Sequence, residues 1–110
     1  MEKRELFLQK IELEYKLFRR KMLMKGKNYI LDHARKAVCM KDLYEASRNL
    51  SERWNEDTLQ VLLVFPGYLE FLYRQWLREE MSYPIELSRC IRKETARLVQ
   101  AYWGNEGEAA

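Results

Sequence analysis

The chain has 110 residues, of which 47% are hydrophobic and 34% are charged, and its formal net charge is +3 at pH 7. This length is typical of one domain with its own core. The longest apolar run, residues 61–65, is far too short to span a membrane. Two cysteines do not form a disulfide framework, and the first residues lack the apolar segment of a signal peptide. We therefore expect a cytoplasmic protein.

The first predicted helix ends at Gly26 and carries two apolar stripes. Its main stripe has the three- and four-residue spacing of a helix face that packs on a core: Phe7, Ile11, Tyr15, Phe18 and Met22. The second stripe lies about 100° or more away around the helix: Leu6, Leu13, Leu17 and Met24. Two stripes indicate two neighbours. The second stripe is either part of the core or the seam of a homodimer.

The middle of the chain predicts two more helices. The first runs from Asn28 to about Ser47, and Lys41 falls on its inward arc, which predicts either a snorkelling side chain or a bend near Lys41. The next begins at Asn55, a good N-cap. Residues 59–65 also have strand-like content, so that a strand there remains an alternative.

Proline and glycine punctuate the rest of the chain. Pro66 is expected in the first turn of a helix that ends near Glu80, and Ser82 and Pro84 repeat this pattern before a last helix that ends at Trp103. We predict an all-α protein, a single compact bundle of four to five helices over residues 1–103. A disordered acidic tail is expected over residues 104–110.

No grouping of residues predicts an enzyme. The single histidine, His33, has no nucleophile and orienting group at a suggestive spacing, and it is expected to be partly buried with one hydrogen bond. Cys39 and Cys90 lack the close pairing of a zinc site and are expected to be small buried side chains. Isolated glycines do not make a phosphate loop. We predict no catalytic residues, no metal and no cofactor.

Charge is segregated along the sequence. Residues 16–41 contain nine Lys/Arg and one acid, a charge of +8, so that the remainder of the chain sums to −5. Such segregation bears on binding partners and not on the fold. The cations predicted to bind a partner or nucleic acid are Lys16, Arg19, Arg20, Lys25, Lys27, Arg35, Lys36, Arg89, Lys93 and Arg97. Of these, Arg35 and Lys36 are expected to point away from the core. The alternative is a solvated face whose cations complement a helix dipole.

Three aromatic residues are candidates for an interface: Trp54, Tyr68 and Phe71. Trp54 lies in a polar connection, where an exposed ring would anchor a partner. It could equally fold back as a lid over one end of the bundle.

Three segments, 30–34 (Ile-Leu-Asp-His-Ala), 69–77 (Leu-Glu-Phe-Leu-Tyr-Arg-Gln-Trp-Leu) and 85–91 (Ile-Glu-Leu-Ser-Arg-Cys-Ile), follow one another over most of the chain. This pattern resembles a bacterial family of uncharacterised small helical domains carried on plasmids and conjugative elements. The resemblance implies a role in maintenance, regulation or countering host defence, and it assigns no catalytic or ligand residue. The basic segment 16–41 departs from the family pattern.

Together these observations predict a non-catalytic binding protein. Its most concrete form is a counter-defence inhibitor of the anti-CRISPR type, which acts through a basic helical face on a nucleic-acid-handling machine such as an RNA-guided nuclease. The expected partner is a protein or a ribonucleoprotein, and no membrane is involved. The alternative is a small regulator that binds nucleic acid directly through the basic face.

Overall fold

The computed structural model describes residues 2–79 and 85–109. This part of the chain contains six helices and no strand, which confirms the all-α prediction and adds one helix to the largest number expected. Residues 59–65 are helical up to Val64, which excludes the strand alternative. The helices are α1 (Lys3–Lys25), α2 (Lys27–Asp32), α3 (Ala34–Ser51), α4 (Glu56–Val64), α5 (Tyr68–Glu79) and α6 (Ile85–Ala109).

The additional helix arises because the predicted second helix is broken at His33. Its backbone leaves the helical region there (φ −115°, ψ 22°), and its Nδ1 lies 2.9 Å from the carbonyl oxygen of Tyr29. The two rings stack with centroids 3.9 Å apart. The bend predicted near Lys41 is wrong, because α3 is continuous there and Lys41 is exposed. The core-facing residues of α3 include Met40 and Leu43.

The core is built from the inward faces of all the long helices. Phe7 and Ile11 of α1 are completely buried, so the predicted main stripe of this helix is confirmed. α1 packs mainly on α3, α4 and α5, and α6 closes the bundle against the same three helices. Burial of such apolar side chains is the main contribution to the stability of a small domain. The buried cluster also includes Met40, Leu43, Leu59, Leu62, Tyr68, Leu69, Leu72, Trp76 and Ile91.

The second stripe of α1 is not part of this core. The exposed fractions are 40% for Leu6, 58% for Leu13, 48% for Leu17 and 78% for Met24. The chain therefore leaves one apolar face of its first helix, 23 residues long, uncovered.

The last helix extends beyond its predicted end. α6 continues past Trp103 to Ala109, and the indole Nε1 of Trp103 lies 3.4 Å from the carbonyl oxygen of Asp57. The disorder expected over 104–110 stays a prediction. The predicted helix start at Ser82–Pro84 lies outside the described residues. Among the described helices, none has the combined length and apolarity needed to cross a membrane.

Candidate functional site

A groove of about 460 Å³ opens between α1, α2, α3 and the beginning of α5. We call it the basic groove. Its apolar lining consists of Leu17, Phe18, Met22, Tyr29, Met40 and Leu69, together with the turn at Gly67. Its charged lining consists of Lys21, Lys25, Lys36 and Arg74 and of the two acids Glu14 and Glu70. An apolar surface with a charged rim is the usual anatomy of a site that binds another molecule.

Gly26 joins the two helices that carry the groove residues Lys25 and Tyr29. Its φ of +92° lies where residues with a side chain are rarely found, and there the chain leaves α1 and begins α2. The turn places Lys25 beside Tyr29, with its Nζ 4.7 Å from the ring centroid. This distance is within the range of a cation–π interaction. Lys25 is nevertheless exposed, and its charge is therefore available at the rim.

Lys36 joins the opposite wall to α5. Its Nζ donates a hydrogen bond to Glu70 Oε1 at 3.0 Å and lies 5.0 Å from the ring centroid of Tyr73. Arg74 Nε lies 3.9 Å from the same carboxylate oxygen. The prediction that Lys36 points away from the core is therefore wrong: it is a half-buried tether between α3 and α5, because Glu70 neutralises it and aromatic rings cover its stem.

Glu14 fixes the floor of the basic groove where α5 begins. Its Oε1 accepts the backbone N–H of Leu69 at 2.9 Å, and its Oε2 lies 2.9 Å from Lys10 Nζ. Lys10 Nζ also donates to the carbonyl oxygen of Phe65 at 2.6 Å. Gly67 has no side chain to cap α5, so a carboxylate from α1 does so. Both acids of the groove are thus engaged within the fold.

The rim of the basic groove is positive. Its lining has four cations and two acids, a formal charge of +2, and Lys21 and Lys25 have no acidic partner in the described part of the chain. Two more exposed cations, Arg20 and Lys27, lie near this end of α1 and α2 without an acidic partner among the described residues. An uncompensated positive rim around an apolar floor favours a ligand that is both acidic and apolar.

The other predicted cations of the basic segment have different surroundings. Lys16 pairs with Glu12 at 2.9 Å, an ion pair that raises the pKa of Lys16 and lowers that of Glu12. The Arg19 guanidinium lies 6.0 Å from the Tyr15 ring, and that of Arg35 lies 5.7 Å from the ring of Trp76 on α5. The predicted set is therefore less uniform than its charges suggest.

The three cations of α6 are separate from the basic groove. No residue of α6 lines it. Arg97 Nη1 donates to Glu94 Oε1 at 3.2 Å, and only 2% of Glu94 is exposed. Arg89 and Lys93 are exposed. The structure thus divides the ten predicted binding cations between two regions.

The aromatic candidates are placed mainly in the core. Tyr68 is completely buried and its hydroxyl lies 2.7 Å from Thr95 Oγ1, so its prediction as an interface residue is wrong. Trp54 is half-buried and makes an edge contact with Phe7 at a centroid distance of 5.5 Å, which confirms the lid alternative. Phe71 is also half-buried and packs on Phe65 with centroids 5.0 Å apart.

Burial raises the pKa of three groups in the described interior, the side chains of Cys39, Tyr68 and Tyr73. Burial raises the pKa of the Cys39 thiol to about 11, which disfavours the nucleophilic thiolate. Burial also raises the pKa of Tyr73. Within the described residues, no group of three or more His, Cys, Asp or Glu side chains is arranged to hold a metal ion.

The sequence does not predict the roles of Glu14 and Glu70, the two acids that connect the helices around the basic groove. Glu14 and Glu70 are four residues from Lys10 and Arg74 respectively, a spacing that indicates local ion pairs. Nothing in that spacing shows that each acid also contacts a second helix.

Comparison of this chain with protein-family models, with curated proteins and with solved structures found no match.

Proposed function

We propose that this chain is a non-catalytic binding protein that holds an acidic, partly apolar segment of a protein partner in the basic groove. The observation that carries the proposal is the combination of Lys21 and Lys25, which lack acidic partners among the described residues, with an apolar floor at Phe18 and Met22. Acidic side chains of the partner would pair with the rim, and its apolar side chains would cover the floor.

A protein segment fits the basic groove better than nucleic acid does. A phosphate backbone is bound by a continuous positive track, whereas Glu14 and Glu70 interrupt the cations here. Single-stranded nucleic acid also needs exposed aromatic faces for stacking. The aromatic ring of Tyr29 is already stacked on His33 and covered by Lys25.

The biological role that we propose is inhibition of a nucleic-acid-handling machine by occupying an acidic surface of its protein component. The small size of the chain, the charge segregated into residues 16–41 and the basic groove support this role. An RNA-guided nuclease is the first ribonucleoprotein to test.

The test compares two charge reversals at exposed lysines. Lys25→Glu alters the rim of the basic groove, and Lys93→Glu makes the same change on α6, away from it. Each protein is added to purified RNA-guided nucleases, and target cleavage and complex formation are measured. We expect wild type and Lys93→Glu to bind and inhibit one of them, and Lys25→Glu to bind at least about tenfold more weakly. Equal binding by all three proteins would contradict the assignment of the groove.

Direct nucleic-acid binding is tested separately. Duplex and single-stranded oligonucleotides are titrated with the protein at several salt concentrations. The regulator alternative requires log K to fall with log salt at about −0.9 per phosphate neutralised on duplex DNA. We expect no sub-millimolar binding even at low salt. A steep salt dependence that Lys25→Glu reduces would replace our proposal with the alternative.

A further inference from the structure

The exposed stripe of α1 is arranged symmetrically along the helix. At 100° per residue, its four members, Leu6, Leu13, Leu17 and Met24, lie within an arc of about 40°. Residue 15 is the midpoint of the outer pair, Leu6 and Met24, and also of the inner pair, Leu13 and Leu17. If a second copy of α1 runs in the opposite direction, each apolar side chain therefore meets another apolar side chain of the same stripe.

The charges of α1 also favour the opposite direction. Residues 3–14 contain three acids and three cations, whereas residues 15–25 contain five cations and no acid. Parallel pairing would place the two cationic halves side by side, and like charges in contact destabilise an interface. Antiparallel pairing places each cationic half against a neutral half. In that half Glu5 and Glu12 are exposed, whereas Lys10 and Arg4 are bonded inside the fold.

Exposure of this stripe is a cost that a second copy would remove. Leu13 is 58% exposed and Met24 is 78% exposed, and burial contributes about 25 cal/mol for each Å² of apolar surface. Isolated exposed apolar residues are common. Here Leu13 and Leu17 are about one turn apart, and Leu6 and Met24 lie about two turns beyond them on the same arc of one helix. The row has the close-to-heptad spacing of a helix that packs along another helix.

We propose that the exposed stripe of α1 is the seam of an antiparallel homodimer, in which Leu6 packs on Met24 of the second copy and Leu13 packs on Leu17. The two-fold axis crosses the seam at the level of residue 15, on the face of α1 opposite the Tyr15 ring, which stacks on Tyr44. A C2 interface uses the same patch on both subunits, as this seam does. Of the four stripe residues only Leu17 also lines the basic groove, whereas Leu6, Leu13 and Met24 do not, so the dimer does not depend on the proposed function.

The oligomeric state is measured first, by sedimentation equilibrium of the whole chain between about 1 and 300 μM, since a single helix pair is a small interface with an expected micromolar dissociation constant. We expect a monomer–dimer equilibrium in this range. Leu13→Ser and Leu17→Ser should each weaken it at least about tenfold. Leu31→Ser, which changes a still more exposed leucine on α2, should not. Circular dichroism confirms that each variant is folded.

The direction of pairing is measured by crosslinking with a short bismaleimide. In the antiparallel dimer Leu6 and Met24 of opposite copies are neighbours, whereas the two copies of residue 6 are about 27 Å apart along the helix. We expect a crosslink when Leu6→Cys and Met24→Cys proteins are mixed, and none when either is alone. Cys39 and Cys90 are buried and do not interfere. A crosslink in the single variants would overturn the antiparallel seam.

A monomer at every concentration would also overturn the proposal, and would assign the stripe to a different protein. If a dimer forms that Leu13→Ser does not weaken, the interface lies elsewhere and the proposal is equally refuted. Leu13 does not line the basic groove, so Leu13→Ser should weaken the dimer and leave nuclease binding unchanged. A wild-type dimer without nuclease binding would refute the groove alone, and nuclease binding by a protein that stays monomeric would refute the seam alone.

Discussion

Replacement of Glu14 by glutamine should destabilise the fold more than its local ion pair suggests. The carboxylate accepts the N–H of Leu69 in the first turn of α5 and pairs with Lys10, each at 2.9 Å. Only 20% of the Glu14 side chain and 21% of the Lys10 side chain are exposed. Solvent therefore screens these interactions only in part, and their loss should be measurable.

The magnitude follows from what glutamine retains. Its amide oxygen can still accept the Leu69 N–H, but as a neutral hydrogen bond, which contributes about 1 kcal/mol instead of about 1.5–3 kcal/mol. The favourable interaction of a charge with the helix N-terminus, about 0.3–1 kcal/mol, is also lost. Glu14→Gln should therefore lower the free energy of unfolding by about 1–2 kcal/mol. Glu14→Ala should lower it by about 2–4 kcal/mol, because it leaves the Leu69 N–H without an acceptor and leaves Lys10 with only the carbonyl oxygen of Phe65.

The assay is urea unfolding followed by circular dichroism, with Glu12→Gln as the matched control. Glu12 forms the same type of pair, with Lys16 four residues on at 2.9 Å, but 48% of the Glu12 side chain and 69% of the Lys16 side chain are exposed. Within the described residues, Glu12 accepts no backbone N–H of a second helix. We expect Glu12→Gln to leave stability unchanged within error. Equal stabilities for wild type and Glu14→Gln would refute the claim that Glu14 caps α5.

Three further predictions concern the interior and one helix end. Tyr68→Phe leaves the buried Thr95 hydroxyl, at 2.7 Å, without its partner and should cost about 1 kcal/mol in urea unfolding. Burial raises the pKa of Tyr68 and raises that of Cys39 to about 11, so the unfolded chain loses these protons first. The contribution of these two groups to the free energy of unfolding is therefore fully present below about pH 9 and should be lost as the pH rises towards 11. The loss should be less steep in Tyr68→Phe. A free energy of unfolding that does not change over this pH range would contradict the prediction. Asn55→Ala removes the acceptor of the Thr58 N–H at 2.9 Å and should cost about 1 kcal/mol in the same assay, whereas Asn55→Asp should be neutral.

Local signals predicted the helices that local interactions determine. Asn55 caps α4 with its own side chain, and Gly26 ends α1, as the residue types indicate. The break at His33 carries no such signal, because neither glycine nor proline is present there. At the break the His33 ring stacks on that of Tyr29, four residues earlier in the chain.

The sequence predicts that cations cluster in residues 16–41, but it does not predict which of them are exposed and which are paired within the fold. Spacing on one helix shows that Lys36 lies apart from its apolar neighbours, and this is why it was expected to face solvent. Its position against Glu70 and Tyr73 depends on where α5 packs, 34 residues away along the chain. Long-range partners decide whether a lysine binds a ligand or holds the fold together. Lys25, which has no such partner in the described structure, is the better candidate for binding.

The two apolar stripes of α1 likewise show that the pattern on one helix does not determine which face is buried in the core. Periodicity places Ile11 and Leu13 on different faces of one helix, and both faces are suitable for burial. The chain has enough other helices to cover one face, and the structure leaves Leu13 exposed while Ile11 is completely buried. Since the helix pattern is the same for a core and for a seam, only the packing of α3, α4 and α5 distinguishes them. The stripe residues lie at equal distances on either side of residue 15, so in an antiparallel pair of α1 helices each of them is level with an apolar residue of the same stripe. A second copy of the same chain can therefore cover the exposed face.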